Sequence, residues 1–131
     1  MKTILISNME ARSPFRVELL PGVTQLVGDS GTGKTYLFSL IADDMKLKNK
    51  KCLLVTPNSK TDAISGRYDL IMLDRLDLYY TPELMKMYLQ HTDYVLCSCR
   101  ALLEFYGCIE RQAEVTCNSG VLEVSYYGVH F

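Results

Sequence analysis

Residues Gly28-Asp29-Ser30-Gly31-Thr32-Gly33-Lys34-Thr35 bring glycines, an ammonium and a hydroxyl together in the spacing G-x-x-x-x-G-K-[ST]. The chemistry open to such a set is the holding of a polyphosphate. Gly31 and Gly33 let the backbone curl so that successive N–H groups point inward and form a concave nest for anionic oxygens. A helix beginning near Lys34 adds unsatisfied amides and the positive end of its dipole. Lys34 carries an ammonium able to reach between the last two phosphates, and the Thr35 hydroxyl is a hard oxygen ligand suited to Mg²⁺. A Gly/Ser/Thr-rich stretch before Lys-Thr is also what an ordinary loop looks like. The surroundings argue against that: the apolar run 23–27 (VTQLV) leads into the glycines and an amphipathic pattern follows them.

In that setting, Gly28–Thr35 resembles the Walker A motif of P-loop NTPases. The resemblance implies phosphate contacts from Gly28, Asp29, Ser30, Gly31, Thr32, Gly33, Lys34 and Thr35. It further implies ATP, less strongly GTP, as the ligand and Mg²⁺ as the companion ion. Such proteins hold the metal through a second contact, an aspartate ending a neighbouring apolar strand. Leu70-Ile71-Met72-Leu73-Asp74 supplies that pattern, so Thr35 and Asp74 are the expected metal pair and Lys34 and Asp74 the expected catalytic core. Where members that hydrolyse ATP carry a glutamate after the aspartate, this chain has Arg75. Asp77 stands close by, but reads more readily as a solvated loop acid. The departure points away from rapid turnover and toward slow hydrolysis, or toward binding that holds a conformation.

Ser98, ending the run 93–98 (DYVLCS), is the third catalytic candidate, because resemblance to the ATPase group with an inserted strand implies a polar residue here that contacts the terminal phosphate or the attacking water. Arg100 either neutralises phosphate charge or caps the next helix. Tyr36, directly after Thr35, lines the base side or is simply an exposed tyrosine at a helix start. His91 and His130 share no motif with these residues.

The upstream stretch "LLPGVTQLVGDSGTGKT" is similar to the opening of ABC-type ATPases, but the helical subdomain of that group and the lid of AAA-type proteins have no counterpart here. The chain is thus similar to a minimal ATPase core, as in small ATP-binding proteins of bacteria and their mobile elements. A weak or partner-activated ATPase is the leading expectation. A non-catalytic, nucleotide-gated interaction module and a small-molecule or nucleotide kinase are the alternatives. Strand order separates them: in the ATPase group the 93–98 strand lies between the P-loop strand and the 68–74 strand, whereas in kinases the latter two are adjacent. A protein partner or a second copy could supply the missing catalytic groups.

The elements that must position these residues are readable from periodicity. Strands are expected at 3–9, 15–20, 23–27, 51–56, 68–74 and 93–98, and a hairpin over 110–117 and 121–129 around Asn118-Ser119-Gly120. Helices are expected from Thr35 to about Lys48, from a Thr81 cap with Pro82 to about Gln90, and over 100–106. Strands alternating with helices predict a single domain over 1–131 with a three-layer α/β P-loop fold. Its central sheet would be mainly parallel, with antiparallel additions at 1–20 and 108–131.

Composition narrows the partners. The 131 residues are 48% hydrophobic and 22% charged, with net charge −1, ordinary for a soluble globular protein and without the bulk positive charge that marks nucleic-acid binding. No apolar run approaches a membrane span, and the N-terminus lacks a cleavage pattern, so a cytoplasmic protein with no membrane partner is expected. Cys52, Cys97, Cys99, Cys108 and Cys117 lack C-x-x-C spacing and read as structural thiols.

Overall fold

The computed structural model describes residues 3–28, 33–59, 64–99 and 107–127. Its strands are β1 (Ile4–Asn8), β2 (Phe15–Leu19), β3 (Gly22–Leu26), β4 (Cys52–Val55), β5 (Leu70–Leu73), β6 (Tyr94–Ser98), β7 (Arg111–Asn118) and β8 (Val121–Tyr126). The helices are α1 (Lys34–Leu47) and α2 (Pro82–Leu89), with a 3₁₀ turn at Leu76–Leu78. All eight strands form one sheet in the order β1-β2-β8-β7-β3-β6-β5-β4.

This architecture overturns the expected three-layer P-loop fold. The molecule is a strongly curled mixed sheet, with 38% of the described residues in strands and 23% in helices. Two features account for the difference. The terminal hairpins β1–β2 and β7–β8 are antiparallel within themselves, yet they do not sit as mere additions. They join each other through a parallel β2–β8 contact and join β3 through a parallel β7–β3 contact, so half of the sheet is a wing built from the two ends of the chain. Between β4 and β5, the described residues 56–59 and 64–69 form no helix. The helix expected over 100–106 lies outside the described residues.

Burial explains why the strands read as they do. β5 is buried at every position and β6 at all but its first, as expected for parallel strands covered on both faces, and each is a continuous apolar run. β2, in the wing, alternates buried and exposed because only one of its faces is covered. On one side of the sheet, Leu37, Phe38, Ile41 and Met45 of α1 pack among Leu26, Leu70, Met72 and Leu96. The wing's Ile6, Phe15, Val17 and Leu19 belong to the same core, so the curl wraps α1. On the other side, Met85 and Tyr88 of α2 meet Val23, Val55, Ile71, Leu73 and Val95. Strand twist accumulates across a sheet this wide, and an aliphatic helix lying in the trough gives the curl something to bury.

Local signals set the helix ends. The Thr81 hydroxyl accepts the Leu84 N–H at 3.0 Å, with Pro82 at the first helical position. At the end of α1, Asn49 takes a left-handed conformation, and the N–H groups of Asn49 and Lys50 return to the carbonyls of Lys46 and Met45. Among the described residues no helix is long and apolar enough to cross a membrane.

The entry to β3 depends on Gly22, at φ +94°, where an added Cβ would lie 1.4 Å from Glu110 Oε2. That carboxylate accepts the Val23 N–H at 2.6 Å. Gly22→Ala should therefore cost at least about 2 kcal/mol, from left-handed strain plus the displaced hydrogen bond. Urea unfolding reads this directly, and a variant as stable as the parent would refute the packing. A second expectation concerns Cys52, where burial, with Asp69 beside it, pushes the thiol up to about 12. Folding favours the neutral form, so this contribution to stability is complete below the ordinary thiol value and is lost as pH rises toward 12. In native protein at pH 8–9, labelling should modify exposed Cys117 and spare Cys52 until the chain unfolds, as read by peptide mass spectrometry. Equal labelling of the two would contradict it.

Candidate functional site

β3, β6 and β5 run parallel and end at one edge of the sheet, where ligands of open parallel sheets are bound. From that edge the chain passes through Val27, whose N–H bonds the Ala113 carbonyl at 2.8 Å, to Gly28 at φ +132°. Asp29, Ser30, Gly31 and Thr32 lie outside the described residues. Gly33 is the N-cap of α1, at φ 91° and ψ 10°, a left-handed geometry that glycine takes without strain. Gly33 makes no side-chain cap, and no acidic residue stands in the first turn. The positive end of the helix dipole is therefore not met by an anionic side chain of its own first turn.

Lys34 is 8% exposed and its ammonium donates to the Gly28 carbonyl. The Thr35 hydroxyl donates to the Asp74 carboxylate, 3.3 Å from Oδ1 and 3.2 Å from Oδ2, across 39 residues of sequence. Asp74 is 7% exposed, too buried for a carboxylate to rely on bulk water alone. Ser98 Oγ donates to Asp74 Oδ1 at 2.9 Å and accepts the Arg75 N–H at 3.0 Å. The Asp74 backbone is pinned as well: its N–H reaches the Val55 carbonyl at 2.8 Å, and its carbonyl accepts the Tyr79 hydroxyl at 2.8 Å. Burial raises the Tyr79 hydroxyl above its ordinary range, so Tyr79 remains a neutral donor.

The structure thus brings Thr35, Asp74 and Ser98 into direct contact and sets Lys34 at the start of the same helix. Ser98 stands at the expected strand end, but its hydrogen is committed to Asp74 and its oxygen to Arg75. Arg75 occupies the position after the acid in a left-handed conformation, φ 56°, from which the chain enters the 3₁₀ turn. That bend sets Asp77 against its own Arg75, with Nε 3.5 Å from Oδ1, in a largely buried pair. Tyr36 is exposed and its hydroxyl bonds Ser13 Oγ. His91 lies away from this edge, its Nδ1 2.7 Å from the Gly66 carbonyl. Arg100 and His130 lie outside the described residues.

Several neighbours carry no motif and were invisible in the sequence. Gln112 donates to Gln25 Oε1 at 3.2 Å, and Gln25 donates to Cys99 Sγ at 3.2 Å, a chain of side chains running from β7 through β3 to the end of β6. Cys97, fully buried, donates to the Thr24 carbonyl at 3.5 Å, and the neighbouring Cys99 together with burial holds its thiol well above the ordinary range. The only available signal was a glutamine amid apolar residues in "VTQLV". A hollow of about 880 Å³ on the wing, lined by Leu5, Arg16, Glu18, Glu123, Ser125 and Tyr126 among others, contains none of these site residues.

The oxygens of Thr35 and Asp74 form a donor set that fits a hard cation. With its one hydrogen directed to Asp74, the Thr35 hydroxyl keeps its lone pairs for a ligand, and one carboxylate plus waters is an ordinary protein share of a Mg²⁺ shell. Among the described residues no group of three or more His, Cys, Asp or Glu side chains could hold a metal ion.

Ser98→Ala should destabilise the fold by about 1–3 kcal/mol, because it strips a donor from a buried carboxylate and an acceptor from the Arg75 N–H. Denaturant titration checks it, and a change below about 0.5 kcal/mol would mean that the bridge contributes little. No protein-family model matches the chain, and no curated protein matches it.

Proposed function

We propose that the chain is a Mg²⁺-dependent ATP-binding protein with a Walker A-like loop, whose ATP hydrolysis is weak or depends on a partner. The observation that carries this reading is the contact between Thr35 and Asp74. A hydroxyl following a glycine-lysine loop and an acid ending an apolar strand meet at one sheet edge, although 39 residues separate them. In this reading Gly28, Gly33 and the neighbouring amides hold the phosphates, and Lys34 offsets charge on the terminal ones. Thr35 and Asp74 hold Mg²⁺, which supplies charge neutralisation at the phosphate oxygens. Ser98 keeps Asp74 oriented. The placement of β6 between β3 and β5 supports the ATPase group over a kinase, in which the phosphate-loop and acid-bearing strands are neighbours.

A specific observation favours a second reading, a nucleotide-gated interaction module. Arg75 stands where a catalytic glutamate belongs, Asp77 is turned against Arg75, and the Ser98 hydrogen is spent on Asp74. A site so arranged binds without driving rapid chemistry, and a protein partner or a second copy would read or complete it. Five free thiols suit the reducing cytoplasm as its place of work. Nucleic acid has no support from the net charge of −1.

Calorimetry with Mg²⁺ and ATP should give a saturable binding isotherm that Lys34→Ala weakens at least tenfold, about 1.4 kcal/mol or more. Omission of Mg²⁺ should weaken the parent and leave Asp74→Ala little changed. Phosphate release above the Lys34→Ala background selects the ATPase, and binding without release selects the module. No uptake of any nucleoside triphosphate at millimolar concentration would end both.

A further inference from the structure

The first turns of α1 have a buried and an exposed side. Leu37 and Phe38 are fully buried, and Asp74 and Ser98 close the sheet edge. Thr35 and Tyr36 are exposed, and Tyr36, at 52%, places an aromatic side chain directly beside the Thr35 hydroxyl. A polyphosphate held at Lys34 and Thr35 would lie within one residue of that ring.

An exposed tyrosine ordinarily turns freely, and a ligand that ordered it would oppose that freedom. Here the ring is held at both ends, by the helix backbone and by the hydrogen bond between its hydroxyl and Ser13 Oγ. Ser13 belongs to the connection between β1 and β2, which the curl of the wing brings beside the start of the helix. The phenol oxygen is thereby engaged, and what Tyr36 offers a ligand is a ring face already in position.

Building on the phosphate site proposed above, we propose that Tyr36, oriented by Ser13, is the nucleobase platform. The site then takes purine nucleoside triphosphates by stacking, in preference to pyrimidine nucleotides and to bare polyphosphate. Stacking reads the face of a base and not its edge, because every base has a π-face. Adenine and guanine are consequently held almost alike, and the larger purine overlap disfavours cytosine.

The test is calorimetry at fixed Mg²⁺ with ATP, GTP, CTP and inorganic tripolyphosphate, using the parent, Tyr36→Ala, Tyr36→Phe and Ser13→Ala. In the parent, ATP and GTP should bind within about threefold of each other and about tenfold more tightly than tripolyphosphate, the size of one aromatic–base stack. Tyr36→Ala should remove that gap while keeping tripolyphosphate affinity within about twofold of the parent, which also reports that the variant is folded. Tyr36→Phe and Ser13→Ala, which keep the ring but lose the tether, should narrow the gap only in part. If Tyr36 merely fastens the β1–β2 connection to the helix, Tyr36→Ala lowers the melting temperature and leaves the ATP-to-tripolyphosphate ratio unchanged, and the proposal fails. It also fails if the parent binds tripolyphosphate as tightly as ATP, an outcome that leaves the phosphate site standing. Failure of the parent to bind either ligand overturns both. Should Tyr36→Ala not fold, the parent ratio and the two conservative variants decide.

Discussion

A carboxylate with 7% exposure needs hydrogen-bond donors, and the arrangement around Asp74 is the consequence. Its donors arrive from different elements: Thr35 from the first turn of α1 and Ser98 from the end of β6. Neither can be supplied unless α1 crosses the sheet in the right place and β6 lies beside β5. The buried acid thus links the register of the β5–β6 pair to the position of the helix. Ser98 tightens that link, because the same oxygen accepts the Arg75 N–H just after the acid. The left-handed turn at Arg75 follows from the same geometry, with the chain leaving the sheet edge immediately after Asp74 to reach the Leu76 position in the core under α2.

Much of this was legible. Strands buried on both faces leave continuous apolar runs, and β5 and β6 fall inside the runs expected for them. The Thr81-Pro82 start and the Lys-Asn-Lys end of α1 are local chemistry, written where they act. Thr35 and Asp74 could be paired from sequence because each belongs to a pattern with a physical role. Ser98 was identified by its place at a strand end, but its partner was not, since the direction of a hydroxyl depends on what lies across the sheet. Tyr79 and Gln25 were missed for a similar reason: one bonds a backbone carbonyl, the other a thiol, and neither leaves a spacing to recognise.

The fold expectation failed at a definite point. The glycine loop specifies a strand, a turn and a helix, but says nothing about how the ends of the chain attach. The β2–β8 junction rests on Phe15 opposite Leu122 and Arg16 opposite Glu123, a short parallel contact between opposite ends of the sequence. Such a contact has no local signature. The alternation in β2 did announce a one-faced strand, which suits a wing over a core better than a strand within a covered sheet.

The wing is also what positions the helix that carries Lys34 and Thr35. At its start, α1 is fastened by Tyr36 to Ser13, and at its end by Lys48 Nζ to the Ser7 carbonyl at 2.8 Å. Near that end Asp44, 3% exposed, takes an ion pair from Lys48 at 2.7 Å and a hydrogen bond from Asn8 Nδ2 at 3.2 Å. Ser7 and Asn8 are residues of β1, and Ser13 follows them in the turn to β2. One hairpin therefore holds both ends of the helix, while its apolar face supplies Ile6, Phe15, Val17 and Leu19 to the core between them. Among the described residues no second helix shares the core of α1 to fix it laterally. The curl of the sheet supplies that constraint, and the helix that carries Lys34 and Thr35 is aimed by a wing that no motif before it describes.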